Sequence, residues 1–200
     1  MDKKDILASF IIGEICALIF LLISRFLGLP AIALKIAKFF PIILPPLSIS
    51  GVYFASLLGK KVPTIFQMGK NFLVGILNTF IDLGVLNLLM WLFSATSGWQ
   101  YVVFKGVSFS CAVVNSYFWN KFWAFEKKET KASIKEFAPF FTIAVGGLAI
   151  HLTVAPFVVN VIGPQFGITA KIWANIGGIA AAFAGFLWNF FGYKLIVFRK

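Results

Sequence analysis

NSYFWNKFWAFEKK (residues 115–128) and NFFGYKLIVFRK (residues 189–200) end two long apolar stretches of the chain in a similar way. A shift of 73 positions superimposes Lys121 on Lys194, and it also aligns two phenylalanines of one stretch with two of the other. In each stretch a lysine precedes a phenylalanine by four residues and a basic tail follows, as where a membrane helix returns to a basic surface. The shared ending therefore predicts an internal repeat of two helical hairpins.

The composition predicts a polytopic membrane protein. Of the 200 residues, 60% are hydrophobic and 12% are charged, and the mean hydropathy is +0.93, which is too apolar for a soluble domain of this length. A helix needs about 20 apolar residues to cross the hydrocarbon core. Six stretches approach or exceed that length, namely 6–24, 41–58, 71–93, 102–124, 137–162 and 169–197. We therefore predict an all-α protein with six spans. The apolar run that holds the first two spans is interrupted by Pro30, Pro41, Pro45 and Pro46.

The basic residues predict the orientation of the spans. The formal net charge is +11, and 13 of the 18 lysines and arginines fall on one side of a six-span arrangement. They include Lys70, which we assign to the loop before the third span, whereas loops 94–101 and 163–168 carry none. The positive-inside rule then places both termini in the cytoplasm. This distribution argues against nucleic acid as a partner, and segment 25–38 is predicted to lie in the interface as an amphipathic piece.

Two parts of the chain are predicted to differ in organisation. Residues 1–60 form an N-terminal transmembrane hairpin with the interfacial segment, and residues 70–200 form a four-helix bundle. Within the bundle, hairpins 70–126 and 135–200 both leave and re-enter the cytoplasmic face, so the repeat is parallel. Small residues recur at every fourth position of the last span, at Gly177, Ala181 and Gly185. This spacing predicts close packing against a neighbouring span or, as the alternative, a dimer contact.

Motifs for catalysis or for metal binding do not occur in the sequence. There is no Walker A, GxGxxG, HExxH, CxxC or GxSxG pattern, and His151 is the only histidine. Only two acidic residues, Glu14 and Asp82, fall within the predicted spans, which is too few for a cation-dependent membrane transferase. We therefore expect no enzyme activity, no catalytic residue, no cofactor and no metal site.

Amides and isolated charges in or beside the spans are the candidate binding residues. Asn78 and Asp82 share one helix face, and Asp82 should face the bundle interior and have a partner there. The other candidates are Lys105, Asn115, Asn120, Lys121, Lys171, Asn175, Asn189 and Lys194. The amides either hold helices together or bind a polar substrate. We interpret Asp82, Lys105 and Lys171 as functional, because a charge within a membrane is costly.

The lysines are predicted at the two ends of the hairpins. Lys105 and Lys171 each lie near the outer beginning of a helix, at equivalent places in the two repeats. Lys121 and Lys194 lie at the cytoplasmic ends among aromatic residues. A lysine in that position either extends its ammonium group to the headgroups or holds a lipid phosphate.

Residues 70–200 resemble the GtrA-like family of small four-span membrane proteins. The resemblance rests on FLVGILNTFIDLGVLNLL (72–89), VSFSCAVVNSYFWNKFWAF (107–125) and NFFGYKLIVF (189–198). The matching residues are Gly75, Asn78, Asp82, Asn115, Asn120, Lys121, Trp123 and Phe125 in the first half and Asn189, Lys194 and Phe198 in the second. The second half departs from the family pattern at Tyr193 and Ile196.

The resemblance implies a function. Members of the family are associated with moving polyprenyl-phosphate-linked sugars across the membrane for surface polysaccharides, commonly beside a membrane glycosyltransferase. We therefore hypothesise a flippase in a prokaryotic cell membrane, with the polyprenyl tail among the membrane lipids. A polar seam of Asn78, Asp82, Asn115 and Asn189 would replace water around the sugar. Lysines would offset the phosphate charge, Lys121 (beside Asn120) and Lys194 inside, Lys105 and Lys171 outside.

Two alternatives remain open at this point. The first is a non-transporting membrane anchor or activator of the partner glycosyltransferase. The second is a small transporter for cations or drugs that would use Glu14 in the first span. Each of the three readings is compatible with an oligomer.

Overall fold

Helices make up the regular structure of the residues that the structure describes. The computed structural model describes residues 1–124 and 134–192, with side chains for residues 1–124 and 142–188. The helices are α1 (Lys3–Phe26), α2 (Ala31–Ala37), α3 (Phe40–Leu58), α4 (Pro63–Phe93), α5 (Gly98–Trp119), α6 (Ile134–Pro156) and α7 (Ala170–Gly192). Short π-helical segments follow α5 at Asn120–Ala124 and α6 at Phe157–Ile162. The protein is an all-α polytopic membrane protein, as predicted.

Five helical stretches within the described residues are long and apolar enough to cross a membrane. They are Lys3–Phe26, Phe40–Leu58, Pro63–Phe93, Thr142–Ile162 and Ala170–Trp188. The remaining predicted span corresponds to α5, which has 22 residues but is less apolar than these five because it contains Lys105 and several polar side chains.

The chain divides into two compact units, which are described separately below. The first unit consists of Met1–Gly84 and Ala112–Lys128, and the second of Val85–Cys111 and Glu129–Lys200. The predicted boundaries of the N-terminal hairpin and of the two repeats stay predictions.

In the first unit, α1 packs directly against α3. The close approach depends on Gly13, because a Cβ atom there would lie 2.6 Å from the Cα of Pro45 and 2.8 Å from the Oγ of Ser48. The core contains residues of α1, α3, α4 and the π-helical segment after α5: Ala8, Ile12, Cys16, Val52, Leu73, Val74, Leu77 and Trp123. The N-terminal hairpin thus shares one hydrophobic core with the helices that follow it in this unit.

Lys70 lies inside α4, so its assignment to a loop is wrong. The helix begins at Pro63, eight residues before the predicted start of the span, because proline is well suited to the first turn of a helix. Lys70 is only 2% exposed. By contrast, the predicted interfacial segment contains the short helix α2, whose Lys35 is exposed.

In the second unit, α6 packs against α7 along the predicted small residues. A Cβ atom on Gly177 would lie 2.6 Å from Val159, and one on Gly185 would lie 3.0 Å from Nε2 of His151. The hydroxyl of Tyr101 on α5 donates to the carbonyl of Ala174 at 2.8 Å. The prediction that these small residues pack against a neighbouring span is confirmed.

Candidate functional site

The first unit contains a buried ion pair at the beginning of α1. Nζ of Lys70 lies 2.7 Å from Oδ1 of Asp5, and the two side chains are 2% and 5% exposed. The indole N–H of Trp123 donates to the same oxygen at 3.1 Å. The other carboxylate oxygen, Oδ2, accepts from the backbone N–H of Asp2 at 3.1 Å. One carboxylate therefore receives three donors in a desolvated environment.

Local structure fixes the positions of Asp5 and Trp123 within their own helical segments. Asp5 stands at the third position of α1 and forms a capping box with Asp2, whose Oδ1 accepts from the N–H of Asp5 at 2.8 Å. Trp123 lies in the π-helical segment that ends α5, a wider turn that is often found at functional sites. The ammonium of Lys70 also lies 4.5 Å from the centre of the Phe66 ring and 5.6 Å from that of Trp123.

Amide side chains continue this polar region along α4 and α5. Nδ2 of Asn71 donates to Oδ1 of Asn120 at 2.8 Å, and Asn120 donates to the hydroxyl of Ser116 at 3.1 Å. Farther along the same helices, Nδ2 of Asn115 donates to Oδ1 of Asn78 at 2.7 Å. The structure therefore brings the predicted Asn78, Asn115 and Asn120 onto two facing helices, where each bonds to another side chain.

Lys121 lies beside an aromatic groove. Its Nζ is 3.3 Å from the hydroxyl of Tyr117 and 5.7 Å from the centre of the Phe122 ring, and the side chain is half-buried. The groove has a volume of about 240 Å³ and is lined by Phe118, Trp119, Phe122 and Trp123. An ammonium group beside apolar rings can bind an amphiphile that has an anionic head.

Six residues are linked by these bonds or by adjacency in the chain. We call this set the basic cluster: Asp5, Lys70, Asn71, Asn120, Lys121 and Trp123. Sequence reasoning identified Asn120 and Lys121 but missed Asp5, Lys70 and Asn71. Asp5 resembles an ordinary helix-capping residue, and no local pattern shows that Lys70 is buried.

The other predicted charged residues have different surroundings. Asp82 and Lys105 are buried, at 2% and 0% exposure, as expected of charged side chains within spans. Their predicted role in function stays a prediction. Lys171 is exposed in the first turn of α7, whereas Lys105 lies in the third turn of α5. The predicted equivalence of Lys105 and Lys171 is therefore wrong, because they differ in depth along their helices. The side chains of Asn189 and Lys194 lie outside the described residues.

The second unit contains an amide pair that sequence reasoning identified only in part. Nδ2 of Asn87 donates to Oδ1 of Asn175 at 2.6 Å, and Nδ2 of Asn175 donates back to Oδ1 of Asn87 at 3.0 Å. Both residues are buried, at 3% and 6% exposure. Asn175 also donates to the carbonyl of Lys171 at 3.0 Å. Asn87 was missed, although it lies within the stretch that carries the family resemblance.

A larger groove of about 640 Å³ also lies in the second unit. Its lining is uncharged and includes Thr96, Ser97, Trp99, Asn160 and Trp173. Asn160 accepts from the N–H of Gly98 at 2.7 Å and donates to its carbonyl at 3.3 Å, which fixes the turn before α5. Hydroxyl, amide and indole groups without charge suit a neutral polar ligand such as a sugar. Among the described residues, no three His, Cys, Asp or Glu side chains are grouped so that they could hold a metal ion.

Comparison with known proteins identifies relatives of most of the chain. Residues 70–198 match the family model of the GtrA/DPMS transmembrane domain. The chain is also similar to the uncharacterized membrane protein YngA of Bacillus subtilis. The two are 31% identical over 141 residues, which is 70% of this chain and 83% of YngA. No solved structure matches the chain.

Proposed function

Because the chain belongs to the family of GtrA/DPMS transmembrane domains, we propose that it is a flippase for a polyprenyl-phosphate-linked monosaccharide. The lipid would move from the cytoplasmic to the outer leaflet of a prokaryotic plasma membrane and supply a sugar for surface polysaccharides. The observation that carries the proposal is the half-buried Lys121, whose ammonium group lies 5.7 Å from the centre of the Phe122 ring in the aromatic groove and which directly follows the bonded Asn120 in the chain.

The proposed site separates the three parts of the lipid by their chemistry. The phosphodiester carries one negative charge, which Lys121 would offset at the loading face. The first isoprene units would lie on the aromatic groove, and the rest of the chain would stay in the bilayer. The sugar would meet the amide pairs of α4 and α5. An amide that exchanges an amide partner for a sugar hydroxyl keeps its hydrogen bond, so the exchange costs little free energy.

The remaining predicted residues would serve the passage across about 30 Å of hydrocarbon. Asp82 lies four residues after Asn78 on α4 and would accept from sugar hydroxyls. Lys105 and Lys171 would attract the phosphate toward the outer face, and Asn189 and Lys194 would complete the cytoplasmic side. The lipid-linked sugar would be synthesised inside and consumed outside, and its concentration gradient would drive net transport. The family resemblance makes a membrane glycosyltransferase the expected partner.

Transport in liposomes tests this proposal. Purified protein is reconstituted with a radiolabelled polyprenyl-phosphate-linked monosaccharide, and an impermeant periodate treatment reports how much lipid has reached the outer leaflet. We expect the wild type to equilibrate the lipid between leaflets. Lys121→Gln should slow equilibration at least about tenfold, the equivalent of about 1.4 kcal/mol of lost stabilisation.

The matched control is Lys61→Gln, which removes the same charge from an exposed position before α4. It should transport at the wild-type rate. A Lys121→Gln variant that also transports at the wild-type rate would refute the site. A wild-type protein no faster than empty liposomes would refute the flippase, and stimulation of a co-reconstituted glycosyltransferase would then support the anchor or activator.

A further inference from the structure

The buried ion pair of the first unit joins a residue outside the family match to residues within it. Lys70 and Trp123 both fall within residues 70–198, which match the family. Asp5 belongs to the N-terminal hairpin, which lies outside that match. An acidic group from the additional hairpin therefore occupies the space beside two donors of the family domain, with 2.7 Å to the ammonium and 3.1 Å to the indole N–H.

We propose that Lys70 and Trp123 form a binding site for the phosphodiester of the lipid, and that Asp5 is a displaceable internal ligand of this site. The inference rests on the proposed function and adds a gate to it. The site would be closed while the carboxylate is bound and open once the lipid has replaced it.

The chemistry of the carboxylate supports the substitution. A carboxylate and a phosphodiester each carry one negative charge shared over two terminal oxygens. Lysine and the indole N–H can only donate, so both need an acceptor when they are buried. The exchange of one anion for the other leaves the net charge of the site unchanged. A neutral lipid would be a poor replacement for the carboxylate, because it would remove the counter-charge that Asp5 supplies to the ammonium of Lys70.

Energetics also argue that the contact does more than stabilise the fold. Two charges that leave water lose hydration, and a buried ion pair seldom stabilises a protein more than well-packed apolar residues would. Phe66 and the surrounding core would accommodate such residues at these positions. A buried cation whose bound anion can be exchanged for another would account for a charged pair at this position.

The position of Asp5 makes it displaceable. It lies in the first turn of α1, where the backbone N–H groups lack helical carbonyl partners and helix ends fray easily. Its N–H is held by the side chain of Asp2, and Oδ2 is held by the backbone of Asp2. Fraying of this one turn would release the carboxylate to water while the rest of α1 stays packed against α3.

The site is also continuous with the proposed loading site. Asn71 follows Lys70 directly and bonds to Asn120, which precedes Lys121. Trp123 lines the aromatic groove. Lys121, which would first attract the phosphate, is therefore linked to Lys70 through the hydrogen bond between Asn71 and Asn120.

Binding of a sugar-free phosphodiester tests the inference. The probe is a fluorescent geranylgeranyl methyl phosphate, and the same label on geranylgeraniol is the uncharged reference. We expect Asp5→Asn to bind the phosphodiester about tenfold or more tightly than the wild type. The reason is that a competent state populated at 10% or less weakens the apparent affinity by that fraction. Binding of the alcohol should not change.

Two variants serve as controls. Glu14→Gln removes one acidic group from the same helix, away from Lys70, and should leave the dissociation constant within a factor of two of the wild type. Adding Lys70→Gln to Asp5→Asn should abolish the gain. Unchanged or weaker binding in folded Asp5→Asn, or a gain that persists without Lys70, overturns the inference.

A measurement on the wild type keeps the test independent of variant folding. Hydrogen exchange of the first-turn amides of α1 should accelerate when the phosphodiester binds, because the turn is released. Binding without faster exchange overturns the gate, and so does a failure of the phosphodiester to bind. The flippase itself is judged separately, by the transport rates of the wild type and Lys121→Gln.

Discussion

The reciprocal amide pair of the second unit leads to a quantitative prediction. Asn87→Leu and Asn175→Leu remove the pair one partner at a time, and the double variant replaces two buried amides by two apolar side chains. Interhelical hydrogen bonds in membranes contribute about 0.6 kcal/mol on average and up to about 1.7 kcal/mol. The pair has two such bonds, of 2.6 and 3.0 Å, so we expect a coupling free energy of about 1–3 kcal/mol.

The two single variants should differ in their effects. Asn87→Leu leaves the carbonyl oxygen of Asn175 without its partner amide, whereas the Asn175 amide nitrogen keeps its bond to the carbonyl of Lys171. A buried polar group that loses its partner costs about 1–3 kcal/mol. The double variant should be less destabilised than the sum of the two single variants, because it removes both partners of the two bonds together.

The assay is unfolding in mixed micelles with increasing dodecyl sulfate, followed by tryptophan fluorescence and analysed as a double-mutant cycle. The matched cycle uses Asn78→Leu and Asn115→Leu, a half-buried pair with one bond of 2.7 Å, for which we expect about 0.6 kcal/mol. A coupling below about 0.3 kcal/mol for Asn87 and Asn175 is within ordinary additivity and would contradict the reasoning.

The helix contacts of the two units give further predictions for the same unfolding assay. Gly13→Ala should destabilise the protein by about 1–3 kcal/mol, since the new methyl group meets the backbone of Pro45 at 2.6 Å. Gly51→Ala in α3 has open space and should be neutral or stabilising by up to about 1 kcal/mol; equal effects of the two substitutions would refute the close packing of α1 on α3. Gly177→Ala should cost about 1–3 kcal/mol because it meets Val159 at 2.6 Å, and an unchanged unfolding midpoint would contradict the tight contact of α7.

The N-terminal hairpin contributes both packing and a charge to the first unit. Its helices α1 and α3 share a core with α4 and Trp123, and its first turn supplies the carboxylate beside Lys70. Removal of the hairpin would therefore expose apolar surface as well as a charged site. Single substitutions at Asp5 separate the electrostatic contribution from the packing, so the binding experiment uses Asp5→Asn and not a deletion of the hairpin.

Much of the architecture could be predicted from the amino-acid sequence. Hydropathy is a sum over neighbouring residues, so the membrane class and most spans follow from composition along the chain. The amides at Asn78, Asn115 and Asn120 could be identified because polar side chains are conspicuous in apolar stretches. Their role could not be decided, since the same amide can hold a helix or bind a sugar.

Only the tertiary structure decided which polar groups meet. Asn71 pairs with Asn120 across 49 positions and Asn87 with Asn175 across 88 positions, and no local pattern specifies such partners. Lys70 reads as a loop lysine and Asp5 as a helix cap until the fold buries both and places them 2.7 Å apart. Burial and pairing depend on distances between segments that are remote in the chain, whereas hydropathy and charge order depend on neighbours. The amino-acid sequence alone therefore determined the membrane class and the repeated basic endings. The tertiary structure determined that Lys70 and Trp123 bind a carboxylate.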